Sequence, residues 1–283
     1  MCYESGKFSR AKIIARWRCE IAIQYSGGPV LFTNFLGDNI ADLKNGINTN
    51  LTNAGWSTAI VAGGYTVTSA LSPQGLQCSI KLLDNGTSVT IQFCNTALTQ
   101  LGAIHTTTPA ANKRYQIIAD PFQFFLFLPN VSTQSSGAIM GGVPWVPAFL
   151  QAGTTTAIWS IGDGGSSTFR NSLAPNPSDS DYQFNAFVGS GSGQGSPQLF
   201  GVQSNATALG LAGLWFNNAA IICEPMLGYG TSNNAIPVIV GELWDAALVM
   251  QAYQLDLQTN FNGHNYTNIT DNFAGGSLFV ATS

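Results

Sequence analysis

The chain has 283 residues, enough for one large or two ordinary domains with a substantial core, so its stability needs no disulfide or metal. Charged residues make up only 8%, against about 25% in an average soluble protein. Gly, Ser, Thr, Asn and Gln fill the gap, a composition that supports turns and β surfaces but gives little repulsion between molecules. Such a surface suits a protein covered by its neighbours better than a freely diffusing enzyme.

The net charge of −4 hides an asymmetry. Lys7, Arg10, Lys12, Arg16 and Arg18 against Glu4 leave the first 18 residues at +4 and the remainder at −8. We read residues 1–25 as a basic arm that contacts a partner, because the acidic body argues against broad nucleic-acid binding. No secretory signal is expected, since Ile13–Ala15 is too short an apolar stretch and is hemmed in by Lys12, Arg16, Arg18 and Glu20. The longest apolar block, Phe122–Leu128, has the length of a strand, and no membrane span is expected.

After Gly27-Gly28-Pro29 comes the one convincing helix. Asp38 or Asn39 is placed to cap it, Ile40, Leu43, Ile47 and Leu51 share one face, and Gly55 is placed to stop it. Trp56 is expected to pack where the chain turns back. Alternation then predicts strands at Tyr65–Ser69, Cys78–Leu82 and Val89–Phe93, the last two joined at Asp84-Asn85-Gly86. A three-residue loop there would set Cys78 opposite Cys94, although five scattered cysteines without a CxxC pair read as reduced thiols. Arg114–Ala119 and Phe122–Leu128 add two strands joined by Asp120-Pro121; the second, apolar on both faces, is expected to be central.

The polar stretch Val131–Gly137 marks a boundary between a helix-plus-β domain, 26–130, and a β-sandwich-like domain, 131–283. Strand patterns follow at Ala157–Ile161, Tyr182–Val188, Ala219–Leu227 and Ile236–Met250. Their spacing predicts a mainly β fold, an antiparallel sandwich or irregular barrel with one N-terminal amphipathic helix.

Little of this pattern carries chemistry. His105 and His264 stand without a Ser/Asp or Cys/Asn arrangement around them, and no nucleophile elbow occurs. Glu224, Glu242 and Asp245 interrupt apolar runs, and two carboxylates beside Trp244 invite comparison with a glycosidase pair. The reading we adopt is a structural clamp, in which Glu224, Glu242 and Asp245 accept backbone amides or pair with Arg170, the only Lys or Arg after Arg114. Gly162–Ser167 and Asp179–Asp181 offer oxygen ligands but lack calcium-loop spacing, so they read as turns. Trp145, Trp159, Trp215 and Trp244 read as core, with a sugar-stacking platform as the competing role. No catalytic residue, cofactor or metal is expected.

Several segments together carry a resemblance. They are Gly142-Val143-Pro144-Trp145-Val146-Pro147-Ala148-Phe149-Leu150, Ser167-Thr168-Phe169-Arg170-Asn171-Ser172-Leu173 and Glu224-Pro225-Met226-Leu227-Gly228-Tyr229-Gly230, followed by Gly241-Glu242-Leu243-Trp244-Asp245-Ala246-Ala247 and Gly276-Ser277-Leu278-Phe279-Val280-Ala281-Thr282. In this order, over roughly Phe35–Ser283, the chain resembles uncharacterised proteins encoded among the structural genes of tailed bacteriophages and prophages. The resemblance implies a location, the virion, assembled in the host cytoplasm, and a non-enzymatic component of the tail, baseplate or capsid surface. Its partners would be copies of itself and other virion proteins. The alternative is a host-surface glycan-binding module. The basic arm lies outside the resemblance.

Overall fold

The computed structural model describes residues 23–129, 138–146, 157–162, 183–188, 191–200, 222–223, 226–230, 238–249, 256–261, 263–269 and 277–282. Among them the chain is mainly β, with three antiparallel sheets and a single helix. The N-terminal half runs β1 (Leu31–Leu36), α1 (Ile40–Asn53), β2 (Ser57–Val61), β3 (Gly64–Thr68), β4 (Ser79–Asp84), β5 (Val89–Cys94), β6 (Gln100–Thr107), β7 (Arg114–Ala119) and β8 (Gln123–Phe127). Next come β9 (Ala138–Gly142), β10 (Ala157–Gly162), β11 (Gln183–Val188), β12 (Gly191–Phe200), β13 (Ile222–Cys223) and β14 (Met226–Gly230). The chain ends with β15 (Val238–Glu242), β16 (Ala246–Val249), β17 (Gln258–Phe261), β18 (His264–Asn268) and β19 (Ser277–Ala281).

The first sheet has nine strands in the order β1-β7-β8-β9-β10-β11-β12-β14-β15. The second is the meander β2-β3-β4-β5-β6, and the third has the order β13-β16-β19-β18-β17. The second sheet faces the first across a shared core: Val67, Ile80, Leu82, Ile91 and Phe93 meet Ile117, Phe124, Leu126 and Ile139. The rings of Phe93 and Phe124 stack at 5.9 Å with an interplanar angle of 1°.

Helix α1 touches both β1 and β7 of the first sheet and β2–β5 of the second. It forms there because Leu43, Ile47 and Leu51 give it one fully buried apolar stripe. Asn39 caps it, its side chain accepting from the Asp42 amide at 2.9 Å. At the other end Gly55 takes φ +100°, its amide reaches the Thr52 carbonyl, and the Trp56 amide reaches the Leu51 carbonyl. This αL turn closes the last carbonyls and drops the buried Trp56 onto Leu51.

Strand β8 is buried at every position and lies between β7 and β9, because Phe124 and Leu126 point into the core shared with the second sheet while Phe125 packs near Trp159 on the other face. The stretch Val131–Gly137 lies outside the described residues, and the strands on either side of it, β8 and β9, are hydrogen-bonded neighbours. The β4–β5 hairpin differs from the expected one by one residue: Asp84 pairs with Val89, leaving a four-residue loop in which Asn85 Oδ1 accepts from the Thr87 and Ser88 amides. The extra residue shifts the register, so Ser79 rather than Cys78 stands opposite Cys94, and both cysteines are free thiols. No helix among the described residues is long and apolar enough to cross a membrane.

Candidate functional site

Two buried carboxyl groups meet at the seam between the first and third sheets. Asp120 sits in the tight turn from β7 to β8, where its amide donates to the Gln123 carbonyl at 3.0 Å. Its Oδ1 accepts from the amides of Phe122 at 2.7 Å and Gln123 at 3.0 Å, the Asx arrangement that an Asp-Pro turn favours. Its carbonyl accepts from Trp56 Nε1 at 2.8 Å, which ties the turn to the end of α1. The side chain is 2% exposed.

Asp245 lies in the turn between β15 and β16 and holds φ +48°, a left-handed conformation that Asp tolerates better than most residues. Three contacts fix it. Its amide donates to the Gln24 carbonyl and its carbonyl accepts from the Ala281 amide, both at 2.7 Å. Both of its carboxylate oxygens accept from the Ser26 amide, at 3.2 and 3.3 Å.

Gln123 joins the two turns. Fully buried at the start of β8, it donates through Nε2 to the Trp244 carbonyl at 2.5 Å and accepts from the Trp244 amide through Oε1 at 3.3 Å. Trp244 donates from its indole to the Val143 carbonyl at 3.0 Å, and its ring lies 4.8 Å from that of Phe122. A backbone-like exchange of two hydrogen bonds through one amide side chain thus fastens the third sheet to the first.

Burial raises the pKa of Asp120 well above the ordinary carboxylate range, and the charge of Asp245 raises it further, against the opposing bonds from Phe122 and Gln123. Asp245 is also raised by burial, opposed by the Ser26 bonds and by His264. The geometry separates their roles. Asp120 receives both backbone donors on one oxygen, with the Gln123 side chain also bonded to its carboxyl, and shows the stronger rise, whereas the Ser26 amide is shared between both oxygens of Asp245.

Beyond Asp245 an aromatic group covers the third sheet. The Tyr25 ring stacks on His264 at 4.3 Å, and the Tyr266 hydroxyl donates to the Tyr25 hydroxyl at 3.0 Å. Ile23 packs with Ala247, Tyr266, Phe279 and Ala281.

Of the four proposed clamp residues, Arg170, Glu224, Glu242 and Asp245, Asp245 is the one whose side chain the structure describes, and it accepts a backbone amide. Glu242 is the last residue of β15, in register with Met226. Arg170, Glu224 and the arm residues Lys7, Arg10, Lys12, Arg16 and Arg18 lie outside the described residues, as do Trp215 and Asp163–Asp181. Trp56, Trp159 and Trp244 are buried and Trp145 is half-buried. His105 is buried edge-on to Phe93 at 5.9 Å; with Nε2 unbonded, burial pushes its pKa down to about 4. Among the described residues no three His, Cys, Asp or Glu side chains converge as metal ligands.

Asp120 and Gln123 were missed. Asp120 interrupts the run Ile117-Ile118-Ala119-Asp120-Pro121-Phe122 just as Glu242 and Asp245 interrupt theirs, so the same signal would have found it. Gln123 is a lone amide in an otherwise apolar strand, a position that needs a buried partner. No protein-family model matches the chain, and none of the curated proteins searched matches it.

Proposed function

We propose that the chain is a non-enzymatic structural component of a tailed-phage virion, in the tail or baseplate or associated with the capsid, that works by assembling with its own copies and with other virion proteins. The observation that carries this reading is strand β2. It forms one edge of the second sheet, its sequence Ser-Thr-Ala-Ile-Val has neither charge nor proline, its first four residues are exposed, and Ile60 is 85% exposed. Free proteins protect such edges with Lys, Pro or a bulge, because open N–H and C=O groups recruit further strands. An edge left open on a chain with only 8% charge suits a protein whose edges are filled by neighbours. The buried carboxyls support the same reading, since they hold backbone amides at a seam between sheets, a fastening role.

Light scattering on the purified full chain tests the proposal. We expect a discrete oligomer larger than the 29.9 kDa chain, and a smaller assembly for Ile60→Lys, whose charge disfavours edge pairing while costing little stability at so exposed a site. A wild-type chain that stays at 29.9 kDa at every concentration, or an oligomer indifferent to Ile60→Lys, would refute it. The monomeric outcome would shift attention to binding of host-surface glycan.

A further inference from the structure

Residues Ile23–Ser26 precede β1 but belong, by contact, to the third sheet. Every residue of this short segment is engaged there: Ile23 in the apolar cluster around Tyr266 and Phe279, Gln24 through its carbonyl to Asp245, Tyr25 on His264 and Tyr266, and Ser26 through its amide to the Asp245 carboxylate. The rest of the segment's chain is held elsewhere. A Cβ on Gly28 would lie 2.3 Å from Pro121 Cγ, so Gly28 is pressed against the β7–β8 turn of the first sheet. Gly27 stands between these two anchorages with φ +69° and open space around it. Four residues grip one body, the next-but-one residue is packed on another, and a single glycine free of steric neighbours connects them. That is the construction of a strap on a pivot.

We propose that Ile23–Ser26 is an exchangeable strap: in an assembly it swings about Gly27 and occupies the same site on the third sheet of a second copy of this chain. The site is self-specifying. A neighbour's strap finds the same backbone acceptors and donors on Asp245, the same ring of His264 and the same hydroxyl of Tyr266, so exchange conserves these contacts, while the Gly28 amide's 3.4 Å bond to Ser26 Oγ across the pivot is released. Because the contacts come from four consecutive residues, opening breaks these alone and leaves the pairing of the sheets intact. The strap deepens the assembly reading above, and it would join copies by a contact separate from the β2 edge.

The experiment is a complementation in full-length protein carrying Ile60→Lys, which removes the β2 contact. One variant adds Tyr25→Ala and Ser26→Pro, spoiling the strap while its site stays whole; the other adds His264→Ala and Tyr266→Phe, spoiling the site while its strap stays whole. Each alone is expected at 29.9 kDa, and an equal mixture is expected to give a heterodimer of twice that mass, seen by native mass spectrometry with one variant tagged. Should the proline variant fail to fold, Ile23→Asp spoils the strap without touching its backbone. A mixture that remains monomeric, or strap and site variants that dimerise alone as readily as Ile60→Lys, would overturn the strap. Either result leaves the β2 test standing, so the two proposals fail independently.

Discussion

Asp120→Asn isolates the energetics of the buried seam. In the folded protein Asp120 keeps its proton to a higher pH than it does unfolded, because burial and the Asp245 charge both oppose ionisation. Below about pH 4 both states hold that proton and folding is unaffected. As pH rises beyond this, the unfolded chain ionises while the folded one does not, so stability falls by about 1.4 kcal/mol per pH unit until the folded pKa is reached. At that slope each pH unit is a sizeable share of a typical total of about 5–15 kcal/mol. Asparagine keeps the Oδ1 that accepts from Phe122 and Gln123 and has no proton to lose. Urea unfolding of both proteins between pH 4 and 9 should therefore show the variant gaining on the wild type as pH rises, then holding a constant lead. His105 acts the other way: its pKa of about 4 means that acidification below its ordinary value of 6.5 destabilises the fold, but this contribution is common to both proteins and cancels. A flat difference, or a wild type that gains on the variant with rising pH, would refute the assignment of the proton to Asp120.

Replacing Gln123 with Leu strands the Trp244 carbonyl and amide at the seam and should cost about 2–4 kcal/mol by the same unfolding assay, far beyond what an exposed substitution costs. Asn39→Ala removes the cap that accepts the Asp42 amide and should cost about 1 kcal/mol, measured as a lower urea midpoint at unchanged slope. Burial pushes the Cys78 thiol up to about 12, so it should resist a thiol reagent at pH 8 in the native protein and react once the chain is unfolded in denaturant. Trapping of Cys78 in the folded state at a rate near that of a free thiol would contradict its burial.

The parts legible in the sequence are those whose cause is local. Asn39 and the Leu43, Ile47, Leu51 stripe specify α1 within fourteen residues, and the alternation of Ile80 and Leu82 with Ile91 and Phe93 specifies a hairpin whose partners lie within easy reach. The error at Cys78 and Cys94 shows how narrow that legibility is: one more residue in the loop turns a facing pair into an offset pair, because side chains alternate faces along a strand. The seam is a different matter. Asp120 and Asp245 are 125 residues apart, and Gln123 and Trp244 are 121 apart. Polarity inside an apolar run flags each such residue, but only the sheet arrangement says which ones meet. Tyr25 could not have been paired with Tyr266, 241 residues away, from any periodicity.

The contact between Ser26 and Asp245 spans 219 residues. At roughly 5–20 residues per second of synthesis, the Ile23–Ser26 segment leaves the ribosome about 10–40 seconds before the turn that receives it has been made. For that interval β1, α1 and the second sheet can fold, since their pairings are closed by Ala119, whereas the early segment has no intramolecular place to go. Under the strap proposal, that interval is when a nascent segment first meets the completed site of a finished copy.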